Sequence, residues 1–124
     1  MPLIKSSAAP TFALPSLSVT GLAAPSRGAR ETCVWRITLA PGSPGVPHSV
    51  DREEIFVALA GQARVALGDE ESSLAPGDAL IVPAGQPFSL SNPGTEPFEA
   101  LAVLPVGGLA VMPGGAPFPP PWVV

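Results

Sequence analysis

Proline and glycine interrupt this chain so often that long helices are excluded. Its 124 residues include 18 prolines and 13 glycines, together a quarter of the total. Proline lacks a backbone N–H and clashes with the preceding helical turn, so a helix interior rarely tolerates it. The breakers separate short apolar runs at fairly regular spacing, which is typical of strands joined by turns. The sequence therefore predicts an all-β fold.

The clearest strand signal is the segment TCVWRITL at residues 32–39. Side chains alternate in a strand, so Trp35 and Arg36 point to opposite faces. The alternation does not tell which of the two faces inside, and both are candidate pocket residues. Further strands are predicted at 17–22, 54–60, 62–67, 79–82, 88–92 and 98–104. Short strands at this spacing are typical of a sandwich or of a single antiparallel β-barrel, whose closure removes exposed strand edges.

The chain is predicted to form one domain with two flanking segments. We predict an extended arm at residues 1–16 and the barrel at 17–106. Residues 107–124 are predicted to form a tail rich in glycine and proline. Phe118 and Trp122 are large apolar side chains in this tail. Because a lone tail gains little by exposing them, we expect both to dock on the barrel or on a second subunit.

Composition excludes several classes of partner. The net charge is −4 and lysine and arginine form no cluster, so a nucleic-acid partner is not expected. The apolar runs are too short to span a bilayer, and the first residues do not resemble a secretory signal. A single cysteine, Cys33, cannot form an internal disulfide. These features predict a cytoplasmic protein without a membrane partner.

The supply of titratable side chains limits the possible chemistry. The chain has one histidine, His48, and no tyrosine. Acid–base chemistry near neutral pH must therefore use His48 or a carboxylate with a shifted pKa.

Two stretches resemble the paired motifs of the cupin superfamily. In the first, Gly42, His48, Glu54 and Gly61 stand at the family spacing, and Val50 replaces a second histidine. In the second, four residues match and Phe88 replaces the motif histidine; the four are Gly77, Pro83, Gly85 and Asn92. The chain is similar to a compact, single-domain bacterial cupin with a degenerate metal-ligand motif.

This resemblance implies a cupin-like jelly roll, also described as a double-stranded β-helix. Family members with the full motif bind a divalent metal through three histidines and one carboxylate. Only His48 and Glu54 remain here, so no cofactor is expected, and any metal that did bind would use these two. The resemblance also implies a homodimer.

Three functions stay open at this point. The first is the binding of a small organic ligand in an apolar interior beside His48 and Glu54. Its predicted lining consists of Trp35, Arg36, Val50, Phe56, Phe88 and Leu90. The second is a lyase, isomerase or cyclase that uses a His48–Glu54 acid–base dyad or a weakly held divalent metal. The third is a sensing or structural module without catalysis.

Overall fold

A computed structural model describes residues 2–124, and Met1 of the predicted arm lies outside the described residues. Within this range the chain forms eleven strands, three single-turn 3-10 helices and no α-helix. The strands are β1 (Thr11–Leu14), β2 (Leu17–Ala23), β3 (Thr32–Leu39), β4 (Ser49–Val50), β5 (Glu54–Ala60), β6 (Ala63–Leu67), β7 (Glu70–Leu74), β8 (Ala79–Val82), β9 (Phe88–Ser91), β10 (Phe98–Pro105) and β11 (Ala110–Val111). The 3-10 helices span Ser6–Ala8, Pro25–Arg27 and Pro121–Val123.

The strands pair into three hydrogen-bonded sheets. The largest has the order β1-β2-β3-β10-β5-β8, a second has the order β7-β6-β9, and β11 pairs with β4. The two larger sheets face each other and share one core, because the rings of Phe56 on β5 and Phe88 on β9 lie 5.7 Å apart. The predicted all-β jelly roll is confirmed.

The sheets do not close into one barrel, and this part of the prediction is wrong. The chain leaves β7 through a turn in which the Asp78 carboxylate accepts a hydrogen bond of 2.9 Å from the backbone N–H of Ala75. That turn carries the chain to β8 in the opposite sheet. Since β7 pairs only with β6 and β8 only with β5, both remain edge strands.

The core is built by alternation along the long central strands. β3 and β10 pair over eight residues, from Phe98 opposite Leu39 to Pro105 opposite Thr32. Every second residue of each strand is buried, which confirms the predicted alternation of β3. The buried apolar members of these strands and of β5 are Cys33, Trp35, Ile37, Leu39, Phe56, Ala58, Phe98, Ala100, Ala102 and Leu104.

Gly61 connects β5 to β6 at a point where only glycine fits. Its φ is +73°, and a Cβ there would collide with the carbonyl oxygen of Pro97 and lie 3.0 Å from the Cα of Phe98. A glycine at this position therefore lets the β5–β6 turn pack directly against the start of β10.

Both flanking segments contact the jelly roll. Residues 11–14 of the predicted arm form β1, which pairs with β2 at the edge of the large sheet. In the tail, the Trp122 ring lies 6.0 Å from that of Phe12, and Val123 is buried. Phe118 exchanges backbone hydrogen bonds with Ala110, but its side chain is 41% exposed. The Trp122 side chain thus docks on the same chain. Phe118 contacts the same chain through its backbone, and its side chain stays largely exposed.

None of the helices in the described range is long and apolar enough to cross a membrane.

Candidate functional site

Glu54 is the one charged residue that the fold buries within residues 2–124. It begins β5 beside Val82 of β8, and only 4% of its surface is exposed. Alternation places its side chain on the core face with Phe56 and Ala58. Its Oε1 atom is buried and has no hydrogen-bond partner among the described residues.

This environment changes the ionisation of the carboxyl group. Burial raises the pKa of Glu54 from its usual 4.5 to about 8, because a buried charge loses its hydration. The group is therefore mostly protonated at neutral pH. A protonated carboxyl has an O–H that can donate a hydrogen bond, which a carboxylate lacks.

His48 is held by its backbone and by one ring nitrogen. It directly precedes β4, and it exchanges backbone hydrogen bonds of 3.0 and 2.8 Å with Phe88. Its Nδ1 lies 2.9 Å from the carbonyl oxygen of Val46. A carbonyl only accepts, so this bond requires a hydrogen on Nδ1 and leaves Nε2 as an acceptor on the neutral ring. The ring is partly exposed and lies 4.5 Å from that of Phe88.

His48 and Glu54 do not form a hydrogen-bonded dyad. Among residues 2–124, no hydrogen bond or ion pair joins the two side chains. Aromatic rings connect them instead: His48 contacts Phe88, Phe88 contacts Phe56, and Phe56 lies two residues from Glu54 on β5. Aromatic side chains therefore separate the two polar groups.

The remaining predicted pocket residues divide between two faces. Trp35, Val50, Phe56 and Phe88 are at most 5% exposed, and Leu90 packs against the same core. Arg36 lies on the opposite face of β3 from Trp35 and is half-buried. The sequence left open which of the two faces inside; the structure places Trp35 in the core and Arg36 on the other face, because adjacent residues of a strand point to opposite sides of the sheet.

Two surface clefts lie away from His48 and Glu54. One, of about 440 Å³, lies among polar loops beside Arg64, Ser73 and Glu96. The other, of about 290 Å³, lies between the edge strands β7 and β8 and reaches Val65 and Leu80. Leu80 pairs directly with Phe56, so the second cleft adjoins the residues around Glu54. Sequence reasoning missed Leu80, because only the strand register places it there.

The donors around Glu54 do not fit a transition-metal centre. The two other positions of the motif hold buried hydrocarbon, with Val50 3% and Phe88 2% exposed, and Nδ1 of His48 is bonded to a carbonyl. No group of three His, Cys, Asp or Glu side chains comes together within residues 2–124. Catalytic metal sites generally use three protein ligands, and this site offers at most two.

A family model for the cupin domain matches residues 35–104, more than half of the chain. The chain belongs to the cupin family. The matched range extends from β3 to β10 and contains both His48 and Glu54, so the candidate site lies inside the cupin domain.

Two curated proteins resemble this cupin in sequence. Auxin-binding protein 5 of Zea mays is 36% identical over 83 residues, which cover 67% of this chain and 53% of that protein. The mannose-1-phosphate guanylyltransferase ManC of Salmonella typhimurium is 35% identical over 71 residues, which cover 56% of this chain and 15% of that protein. This cupin therefore matches about half of the first protein and a small part of the second.

A solved structure resembles this cupin in fold. The polyketide cyclase RemF from Streptomyces resistomycificus superposes with a TM-score of 0.75 at 19% sequence identity. The match covers 85% of this chain and 79% of that one. At this identity the likeness concerns the fold alone, since one fold serves many unrelated functions.

Proposed function

We propose that this cupin binds a small organic molecule inside the jelly roll, with Glu54 as its principal polar contact. The observation that supports this most is the buried Oε1 of Glu54, which has no hydrogen-bond partner among residues 2–124. Buried polar atoms nearly always have a partner, because leaving one unpaired costs about 1–3 kcal/mol. A ligand oxygen would supply the missing partner.

The residues around Glu54 define the chemistry of such a ligand. The side chains of Val50, Phe56 and Phe88 are hydrocarbon surfaces, so the body of the ligand should be apolar. A protonated carboxyl donates, so the ligand should carry an acceptor such as a carbonyl oxygen. The His48 ring is partly exposed, and its Nε2 could accept a hydrogen bond from a hydroxyl group on the same molecule. We expect an aromatic or conjugated carbonyl compound.

The gap between β7 and β8 is the route that we propose for entry. These edge strands have no hydrogen bonds to each other, so they can separate without breaking a sheet. The cleft between them reaches Leu80, the neighbour of Phe56. A ligand that passes Leu80 would meet Phe56 before Glu54.

Catalysis is the second candidate function. A carboxylic acid whose pKa lies near the working pH can donate and recover a proton efficiently, as an isomerase, lyase or cyclase requires. The pKa of Glu54, about 8, meets this condition. Glu54 would then protonate a carbonyl oxygen of the substrate, while His48 would act at a separate position. No metal takes part in this proposal.

Saturation-transfer NMR tests the proposed binding, with acetophenone as the carbonyl probe and ethylbenzene as its apolar match. We expect the native protein to bind acetophenone more tightly. Glu54→Leu removes the donor and should weaken acetophenone binding by at least about ten-fold, which is the effect of one buried hydrogen bond. Glu54→Gln keeps an N–H donor and should bind within a few-fold of the native protein.

Equal binding of both probes, or unchanged acetophenone binding by Glu54→Leu, would contradict the proposal. The catalytic alternative gives a different pattern, because glutamine cannot transfer a proton. An enzyme would lose turnover in both Glu54 variants, whereas a binding protein would lose function only in the leucine variant.

A further inference from the structure

The polar cleft of about 440 Å³ lies between the β5–β6 turn and the loop that joins β9 to β10. Arg64 on β6 and Ser73 on β7 line it, and the two residues pair directly. Arg64 also pairs with Ser91 on β9. Directly paired residues of neighbouring strands point to the same face of a sheet, so a hydroxyl group lies on each side of Arg64. The volume of the cleft is within the range of small-molecule sites.

Both walls of the cleft are fixed by close contacts. The Asn92 side chain, only 1% exposed, accepts a hydrogen bond of 3.1 Å from the N–H of Gly94 and donates one of 2.8 Å to the carbonyl oxygen of Glu96. These bonds hold the loop of residues 93–96. In the opposite wall, Gly61 lets the β5–β6 turn pack against the start of β10. The cleft is therefore formed before a ligand binds, which lowers the entropy cost of binding.

Two opposite charges line the cleft without pairing with each other. Arg64 and Glu96 both lie on it, and no ion pair within residues 2–124 joins them. Arg64 does lie 3.8 Å from Glu71, but this distance is longer than a hydrogen bond and more than half of each side chain is exposed. Exposed pairs of this kind contribute little. The guanidinium group is therefore available to an anion, and the Glu96 carboxylate to a cation.

We infer that this cleft binds the zwitterion of a polar α-amino acid, with its carboxylate on Arg64 and its ammonium group on Glu96. A guanidinium group can donate two parallel hydrogen bonds to a carboxylate, and the Ser73 hydroxyl can donate a third. The ammonium group donates to the carboxylate of Glu96. The Gln62 amide and the Thr95 hydroxyl also line the cleft and suit a polar amino-acid side chain.

This site is independent of the ligand site proposed inside the jelly roll. Arg64 is exposed, whereas its neighbours Ala63 and Val65 are buried on the core side of β6. Glu54→Leu should therefore leave amino-acid binding unchanged, and variants of the cleft should leave acetophenone binding unchanged. The two proposals can fail separately.

Proton–nitrogen correlation NMR tests the site with L-glutamine and two compounds that each lack one of its charges. Glutaramic acid lacks the ammonium group, and γ-aminobutyramide lacks the carboxylate. We expect L-glutamine to shift the amide resonances of Gly61, Gly94 and Thr95. It should bind at least about ten-fold more tightly than either compound, because a hydrogen bond to a charged group contributes at least that much.

Variants of the two charged residues test their roles. Arg64→Gln and Glu96→Gln should each weaken L-glutamine binding by at least about ten-fold. Glu71→Gln should bind at least as tightly as the native protein, because it removes an anion that competes for Arg64. Arg30→Gln and Glu31→Gln make the matched changes at exposed residues outside the cleft and should have no effect.

Three results would overturn the inference. L-Glutamine could leave the resonances of the cleft unchanged at millimolar concentration, glutaramic acid could bind as tightly as L-glutamine, or either Arg64→Gln or Glu96→Gln could bind as tightly as the native protein. The side chains changed are exposed, so these variants should fold, and their amide spectra report this directly.

Discussion

The protein should become markedly less stable as the pH rises from about 5 to about 9, and Glu54→Gln should remove most of this dependence. The pKa of Glu54 is about 8 in the folded chain and 4.5 for an ordinary glutamate. Between these values the native state holds a proton that the unfolded state has released. Its free energy of unfolding therefore falls across this window, by up to about 5 kcal/mol, and levels off above pH 8.

Urea unfolding followed by tryptophan fluorescence at several pH values measures this effect. Glu71→Gln is the matched control, because it makes the same change at a side chain that is 62% exposed. The native protein and this control should show the same decline with pH, whereas Glu54→Gln should be nearly flat. A native protein whose stability does not change over this range would show that the Glu54 carboxyl is solvated or paired.

Restoring the two histidines that the motif lacks should create a tight metal site. Val50→His combined with Phe88→His gives the family's full set of three imidazoles and one carboxylate at its own spacing. We expect the double variant to bind Ni²⁺ or Zn²⁺ at least about a hundred-fold more tightly than the native protein, since a four-ligand set replaces two scattered donors.

Elemental analysis after dialysis and the metal-dependent rise in melting temperature measure this gain. Each single variant is a control, and the Phe88→His variant also reports the cost of losing a core ring. A bound metal should raise the melting temperature of the double variant, because it stabilises only the folded state. About one equivalent of metal in the native protein, or no gain in the double variant, would contradict this account of the site.

The strands were largely predictable because alternation along the chain records the difference between core and surface. The alternation along β3 followed from its sequence alone, and the motif spacing around Gly61 and Gly85 indicated the cupin family. The position of Arg36 was not predictable. Alternation shows that Trp35 and Arg36 point to opposite faces of β3, but which face is buried depends on the sheet that packs against it.

The details of the site also depended on contacts that sequence does not reveal. The spacing of His48 and Glu54 suggested a dyad, but the backbone pairing of His48 with Phe88 places an aromatic ring beside the imidazole. Nδ1 of His48 lies within hydrogen-bond distance of the carbonyl oxygen of Val46 and not of Glu54. The place of Leu80 next to Phe56 and the open edges of β7 and β8 both follow from long-range strand register.

The carboxyl carbon resonance of Glu54, followed by NMR in protein labelled at glutamate, tests most directly whether an unpaired acid lies within this jelly roll. The Glu54→Gln variant assigns the signal by its absence. We predict a titration midpoint near pH 8, well above the usual 4.5 of a glutamate, and a change in the resonance when acetophenone binds. A midpoint close to 4.5, with no response to the probe, would contradict it.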